Sequence, residues 1–579
     1  MAGRTFFAPI SVRTRFALPN RWDVIAALLV AGAIVALADA SHGANRTLSA
    51  LSRTPISLAP WHLIDYAAHT TLRMLAALCL SLAFTFTYAT LAARNRRAEM
   101  LLIPLLDILQ SVPILGFISV AIVFFMSLAP GRVLGAEFAA VFAIFTSQAW
   151  NMAFSFYQSL RTVPTELEEV ARNFRFSPWM KFWRVDVPFA LPQLIWNMMV
   201  SMSGGWFFVV ASEAIAVGNR NIVLPGIGSY IAVAIAQRNL GAIFWAIGAM
   251  LIVILIYDQL LFRPLIAWVD KMRFEQEPGA KPPSSWSLNV LRGSRLIALM
   301  TAPFDALMDW SYRVLAVPAT QGPTSNFPTR PSIWADVLWT LLFVAIALAA
   351  LWRVATFISS SISWNEIGTV FGYGLLTLTR VLVLIALASV VWVPAGVLIG
   401  LRPRLTHIIQ PIAQFLAAFP ANLLFPIVVS AIVSLGLNPD IWLSPLMVLG
   451  TQWYILFNVI AGSSALPSEL RDISTNFGVH GWLWWRKVAL PSIFPYYVTG
   501  AITASGGSWN ASIVAELVSW GHTKLEAKGL GSYIAKATAI GDYHRIVLGI
   551  AVMSLFVVAL NRTFWRPLYA YAERKFRLG

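Results

Sequence analysis

Residues 166–192 read ELEEVARNFRFSPWMKFWRVDVPFALP, and residues 469–495 read ELRDISTNFGVHGWLWWRKVALPSIFP. Each crowds acids and bases into a short stretch of a chain that is 58% hydrophobic and only 12% charged. Superposed, they set Pro188 over Pro491 and Pro192 over Pro495, an offset of 303. The same offset pairs Pro164 with Pro467, Glu213 with Glu516, GIGSYI (226–231) with GLGSYI (529–534), and FRPL (262–265) with WRPL (565–568). Upstream the offset is 307, and it pairs Pro104 with Pro411, Pro113 with Pro420, and Arg73 of TTLR with Arg380 of TLTR. Register held over such lengths marks a tandem duplication.

The surroundings of these segments decide the solvent. A mean hydropathy of +0.70 with 24 Trp and 36 Phe is not a soluble composition. Nearly charge-free runs occur at 24–38, 74–92, 240–262, 337–352 and 545–560. Helices of such runs cross the roughly 30 Å of bilayer hydrocarbon. Backbone polar groups must pair internally in lipid, so only helices or closed barrels span it, and the unbroken runs select helices. The expected fold is an all-α polytopic membrane protein of about 12 transmembrane helices in two six-helix repeats. An even number returns each half to its starting side, so the repeats are parallel.

The net charge of +16 does not point to nucleic acid. Arg4, Arg13, Arg15 and Arg21 precede the first run, Arg94, Arg96 and Arg97 follow the second, and Arg263, Lys271 and Arg273 follow the sixth. Basic clusters at alternate loops place both termini in the cytoplasm. The single Cys79 excludes an intrachain disulfide and leaves no cysteine metal site. The run at 24–38 ends in ALADA (36–40), which resembles a signal-peptidase site, yet the similar run at 337–352 implies that both are retained helices. The expected divisions are 1–63 (cytoplasmic N-terminus, first helix and periplasmic segment), 64–274 (first repeat core), 275–333 (cytoplasmic linker), 334–370 (leading helix of the second half) and 371–579 (second repeat core). Within the linker, LIALMTAPFDALMDWSYRVLAV is apolar and amphipathic, suited to the membrane surface, and Asp305 and Asp309 argue against a span there.

In the polar segment, Thr165 and Glu168 match a capping box. Leu167, Val170, Ala171 and Phe174 then fall at i, i+3, i+4 and i+7, and Leu470, Ile473, Ser474 and Phe477 repeat that face. A second helical piece is expected through Trp179–Val185, closed by prolines. A short amphipathic helix outside the membrane needs a cover for its face. Lipid headgroups would serve, but Glu166, Glu168 and Glu169 suit a protein groove better than an anionic membrane.

Here the residues resemble a known family. Glu169-Val-Ala171, with the spacing to VDVPFALP, is similar to the EAA…G loop of ABC importer permeases, the coupling helix that docks into the ATPase. TLxR, ExARNF…W…FWxVxxP…LP, SEA and GIGSYI further resemble permeases for nitrate, sulfonates, taurine and bicarbonate, over about 64–273 and 371–577. The resemblance implies an inner-membrane translocation subunit for a small anionic solute, a periplasmic binding protein and two separate ATPase domains. It implies ATPase-coupling roles for Glu166, Glu169, Ala171, Phe174, Arg175 and Trp179, and in the second half for Glu469, Asp472, Ser474, Phe477, Gly478 and Trp482. Family members usually encode one half per chain; here one chain supplies both. Arg175 stands where the motif has Gly, and Asp472 and Ser474 where it has Glu and Ala, so unequal coupling is expected.

No catalytic set is present: the chain lacks G-x-x-x-x-G-K-[ST], its seven histidines lack metal-ligand spacing, and no cofactor is implied. GIGS and GLGS are lone G-x-G patterns, expected as turns near the membrane. Glu213 and Glu516 are acids in or at the end of spans, costly places that mark either a translocation path or a structural pair, with the facing half a candidate partner. Arg73 and Arg380 are expected at periplasmic helix ends, there either to draw an anion to the pore or to snorkel. GGWFF (204–208) and GGSWN (506–510) permit close packing or line the path. The rivals to an ABC permease are a secondary transporter with parallel repeats and no ATPase, and a membrane enzyme or scaffold.

Overall fold

The computed structural model describes residues 56–217, 220–269, 286–314, 333–464 and 468–576, together with 22–24, 26, 27, 30–32, 47 and 466. The first half comprises α1 (Leu63–Arg94), α2 (Arg96–Ser111), α3 (Ile114–Leu128), α4 (Val133–Arg161), α5 (Thr165–Asn173), α6 (Pro178–Lys181) and α7 (Val187–Glu213). A hairpin of β1 (Ala214–Val217) and β2 (Arg220–Val223) follows, then α8 (Ile227–Ala236) and α9 (Leu240–Tyr257). The linker carries α10 (Trp286–Gly293) and α11 (Arg295–Val314). The second half holds α12 (Ile333–Ser359), α13 (Trp364–Gly400), α14 (Pro403–Ala418), α15 (Phe425–Leu435), α16 (Gln452–Ser464), α17 (Ser468–Asn476), α18 (Gly481–Trp484) and α19 (Leu490–Ala515). It closes with β3 (Leu517–Trp520), β4 (Thr523–Glu526), α20 (Leu530–Ile540) and α21 (Tyr543–Leu560).

The duplication is written in element boundaries. The bounds of α2 and α14 differ by 307 at both ends, and those of α5 and α17, α6 and α18, and α9 and α21 by 303. Among the described residues, seven helices are long and apolar enough to cross a membrane, and a bent pair, Pro439–Met447 with Gln452–Ser464, makes up to eight. The protein is an all-α polytopic membrane protein. Trp206, Met74, Met152 and Tyr230 of the first half and Trp509 and Met553 of the second lie in one continuous apolar core. Phe244, Trp245, Ile252, Leu255 and Ile256 of α9 stay exposed, the inversion expected where lipid is the solvent.

Three local expectations are corrected. Thr165 is the first residue of α5, behind Pro164, and no side chain caps that end, so the capping box does not form. The prolines after the polar segment do not close a helix. α6 passes through a π-turn at Phe182–Asp186 straight into α7, and the second half repeats this turn at Trp485–Ala489. Widening the turn lets the Val187 N–H reach the Phe182 carbonyl, and Pro188 then falls in the first turn of α7, where a proline costs little. The two antiparallel hairpins, pairing Ala214 with Val223 and Leu517 with Glu526, were not expected.

The linker's α11 is not among the helices long and apolar enough to cross a membrane. Asp23 caps it, its Oδ1 accepting from the Arg295 N–H at 2.6 Å and the Leu296 N–H at 3.1 Å. Most of the first apolar run and the ALADA stretch lie outside the described residues. The halves meet through paired contacts. The Ile114 N–H donates to Asn510 Oδ1 at 2.7 Å, Asn422 Nδ2 donates to the Phe207 carbonyl at 3.2 Å, and the Gly521 N–H donates to the Ile235 carbonyl at 3.0 Å.

Candidate functional site

The polar segments are built alike at the backbone. In the first, Arg175 has φ +48°, its N–H donates to the Arg172 carbonyl, and the Phe176 N–H donates to the Ala171 carbonyl. In the second, Gly478 has φ +63°, its N–H donates to the Thr475 carbonyl, and the Val479 N–H to the Ser474 carbonyl. Both are Schellman caps, which end a helix on one left-handed residue and satisfy its last carbonyls. The glycine of the motif is thus a helix stop, and Arg175 makes the same stop at a conformational cost.

The side chains divide into two faces. Ala171 and Ser474, expected on a docking face, are buried at 3% and 6% exposure against their own chain. Glu166, Glu169, Val170 and Phe174 are exposed, as are Glu469, Asp472, Ile473 and Phe477. Phe174 is 71% and Phe477 81% exposed, large apolar side chains left mostly uncovered by the described residues. Helical spacing had placed Ala171 correctly beside Phe174, but could not say which neighbour of the stripe turned inward.

The supports of the two segments differ. Lys181 Nζ pairs with Glu168 at 2.7 Å and lies 3.9 Å from Asp186, and Arg94 pairs with buried Asp186 at 2.7 Å while stacking over Phe182. At the equivalent positions the second half has Trp484, Arg471, Ala489 and Leu401, so none of these ion pairs can form there. Trp179 is held by Ser311 of α11 at 3.0 Å, whereas Trp482 is 74% exposed.

At the other end of α7, Arg73, Glu213 and Thr70 form one network within the first half. Arg73 Nη1 donates to Glu213 at 2.8 Å and to the Pro225 carbonyl at 2.8 Å, and its other nitrogens grip Glu137 at 2.6 and 2.7 Å. Glu213 also accepts from Thr70 and from the Gly228 N–H, both at 2.7 Å. The second half repeats this with Arg380, Glu516, Thr377 and the Ser532 N–H, and Asp440 stands in for Glu137. The pairing is within each half and not across the halves. A charge pair placed so deep survives because it is well hydrogen-bonded: Arg73 donates four bonds and the Glu213 carboxylate accepts three. The G-x-G patterns are not free turns. A Cβ on Gly226 would stand 2.2 Å from the Glu213 carboxyl carbon, and one on Gly228 2.2 Å from the Val210 carbonyl oxygen. The glycines admit the carboxylate and then the neighbouring helix.

A cavity of about 360 Å³ lies between the halves. Thr146, Ser147, Trp150 and Asn151 of α4 face it at helical spacing, with Ser203, Gly204 and Phe207 of α7. Across it stand Thr451 and Tyr454, and Gly506, Trp509 and Asn510 of α19. Tyr454 Oη and Ser203 Oγ lie 3.3 Å apart, and Asn151 Nδ2 donates to Ser201 at 3.0 Å. No Asp, Glu, Lys, Arg or His is among its described lining residues, and Arg73, Glu213, Arg380 and Glu516 all lie elsewhere. Of the stretches expected either to pack closely or to line the path, GGWFF (204–208) contributes Gly204 and Phe207 to the cavity and GGSWN (506–510) contributes Gly506, Trp509 and Asn510. The α4 residues were not singled out from sequence; their signal was the recurrence of Thr146, Ser147, Asn151 and Trp150 on one side of an otherwise apolar helix.

Comparison with known proteins agrees with this duplicated build. Residues 85–269 and 392–577 both match the family described as binding-protein-dependent transport system inner membrane component. The chain is 27% identical over 186 residues to the bicarbonate transport system permease protein CmpB of Synechococcus elongatus, a stretch that covers 32% of this chain and 64% of that protein. It is 27% identical over 187 residues to the nitrate import permease protein NrtB of Leptolyngbya laminosa (32% of this chain, 63% of that protein). It is 28% identical over 169 residues to the glycine betaine/carnitine transport permease protein GbuB of Listeria monocytogenes (29% and 54%). The chain therefore spans a little under two thirds of the length of the bicarbonate and nitrate relatives. With two matches that together take in more than half of its residues, the chain belongs to the binding-protein-dependent transport system inner membrane component family, as a tandem-duplicated permease.

Proposed function

We propose that this chain forms the whole translocation path of an ATP-driven importer in a bacterial inner membrane, both termini cytoplasmic. A periplasmic binding protein delivers a small anionic solute, and two ATPase domains grip the polar segments. The observation that carries the reading is the duplicated short helix, capped alike in both halves, with Phe174 and Phe477 exposed beside acids. Such a face fits a groove that supplies an apolar pocket and basic groups. ATP-driven closure of the two domains favours one arrangement of the halves, and the bias is limited by differential binding energy. The solute crosses through the cavity around Asn151 and Tyr454. Arg73, Glu213, Arg380 and Glu516 then serve the path indirectly, by clamping α1 and α13 to the segment that carries each half's hairpin.

The chain purified from its own membranes should carry an ATPase subunit. Phe174→Asp with Phe477→Asp should release that subunit while the permease still inserts, because a carboxylate desolvated without a partner costs several kcal/mol. Retention of the subunit by the double variant, or its absence from the wild-type complex, refutes the docking assignment and favours a secondary transporter. One observation favours a second reading of the solute: among the described residues, the cavity wall has aromatic, amide and hydroxyl groups and no ionised side chain. That wall suits a solute of zero net charge, in keeping with the resemblance to a glycine betaine/carnitine permease.

A further inference from the structure

The linker helix α11 has three faces. Ile297, Thr301, Asp305, Met308 and Tyr312 are partly covered by the chain. Arg295, Asp309 and Arg313 make a second, charged side. Met300, Phe304, Leu307, Trp310 and Val314, three or four residues apart, make a third, and each is more than half exposed. Five large apolar side chains in one exposed row are too many for a helix bathed in water.

The surroundings identify the cover. The preceding α10 follows the membrane-crossing helix Leu240–Val269, and Ser287 Oγ donates to the Gln259 carbonyl near the end of that helix at 2.7 Å. The apolar row therefore starts at the level where a span leaves the bilayer. Arg292 and Arg295 flank its beginning and Arg313 its end, a placement that matches anionic headgroups. A tryptophan and a phenylalanine in the row suit that boundary. Near its C-terminal end, α11 holds the first polar segment through Ser311, which accepts from Trp179 Nε1 at 3.0 Å, and through Tyr312, over which the Arg184 guanidinium lies at 5.1 Å.

We propose that α11 lies in the membrane surface, apolar row in the headgroup–acyl boundary, and ties the first polar segment to the lipid. Its charged side faces water. The second segment, with exposed Trp482, lacks this tie among the described residues. The lipid contact stands on geometry alone. Its consequence for coupling rests on the docking reading above.

The test uses the full chain with Cys79→Ser, reconstituted without ATPase into nanodiscs of phosphatidylcholine and phosphatidylglycerol. Nitroxide labels are placed singly at Leu307→Cys and Asp309→Cys, both exposed positions that leave the packed side intact. The label at 307 should be relaxed by oxygen and shielded from a water-soluble nickel chelate, and the label at 309 the reverse. Nickel access at 307 overturns the proposal, because that face is then in water. Shielding from both agents, or broadening between labels of two copies, also overturns it, because the cover is then protein. Phe304→Cys repeats the measurement one turn away. A label at Asn173 reads the tie: Trp179→Phe should raise its mobility, and unchanged mobility removes the tie while the lipid contact stands. None of these readings depends on an ATPase, so failure of the docking assignment is seen separately.

Discussion

Two arginines sit in the left-handed region where the duplicate half has glycine. Arg175 has φ +48° against +63° at Gly478, and Arg238 has φ +54° against +75° at Gly541. Each pair ends a helix with the same cap, since the Asn239 and Asp542 N–H groups reach back to the Ala234 and Ala537 carbonyls. A side chain in that conformation costs roughly 1–2 kcal/mol that glycine does not incur. Arg238 has a compensating contact, donating to Thr523 of the other half at 3.2 Å. Arg175 should therefore be the site where glycine gains most. Arg175→Gly should raise the thermal unfolding midpoint of the purified permease and Gly478→Ala should lower it. A lower midpoint for Arg175→Gly would mean that the arginine side chain makes a stabilising contact outweighing its backbone strain.

The two short helices α5 and α17 have matched lengths and caps but unmatched supports. The first has Lys181–Glu168 and Arg94–Asp186, and Asp186 is buried, so its pair is screened less than a surface pair. The second has none of these partners at its equivalent positions. Amides of Thr165–Asn173 should exchange with deuterium more slowly than those of Ser468–Asn476, and Arg94→Ala should narrow the gap. Equal exchange in the wild type would show that the ion pairs do not stiffen the segment. Much of this level was legible in the sequence. Apolar runs announce spans, and the repeat aligned elements to the residue, because both signals are local or periodic. The unequal support lies at Arg94, Glu168, Lys181 and Asp186, whereas the departures noted in the sequence were Arg175, Asp472 and Ser474. The inward turn of Ala171 was not legible, because periodicity defines a stripe without saying what covers each part of it. Nor was the Arg73–Glu213 pair, whose members are 140 residues apart and meet only when α1 packs near the end of α7. The π-turns escaped because a proline's cost depends on the turn before it.

For the whole molecule, fusion of two halves in one chain has consequences that a pair of identical subunits could not have. The Arg–Glu–Thr clamp and both glycine contacts recur in each half, whereas the cavity wall has diverged: Asn151 corresponds to Tyr454, Ser203 to Gly506 and Phe207 to Asn510. A homodimer would line such a cavity with two copies of each side chain, but this one has a different group on each side. An asymmetric wall whose described polar groups are neutral can orient one small solute without a net charge of its own. That neutrality makes the wall sensitive to a single added charge. Asn151→Asp changes little in volume and retains Ser201 as a hydrogen-bonding neighbour, yet it sets a carboxylate beside the path. Two like charges about 6 Å apart at an effective dielectric of about 20 repel by roughly 3 kcal/mol. Uptake of nitrate or bicarbonate should then show KM raised on the order of 100-fold, while ATP hydrolysis in the absence of solute stays at the wild-type rate. Asn151→Gln, which adds volume without charge, separates crowding from repulsion and should leave KM nearer to wild type. If KM for an anion does not move, the anion does not pass beside Asn151. A transported solute of zero net charge, such as glycine betaine, should feel the substitution far less, and transport of that solute with an unchanged KM would decide for the second reading.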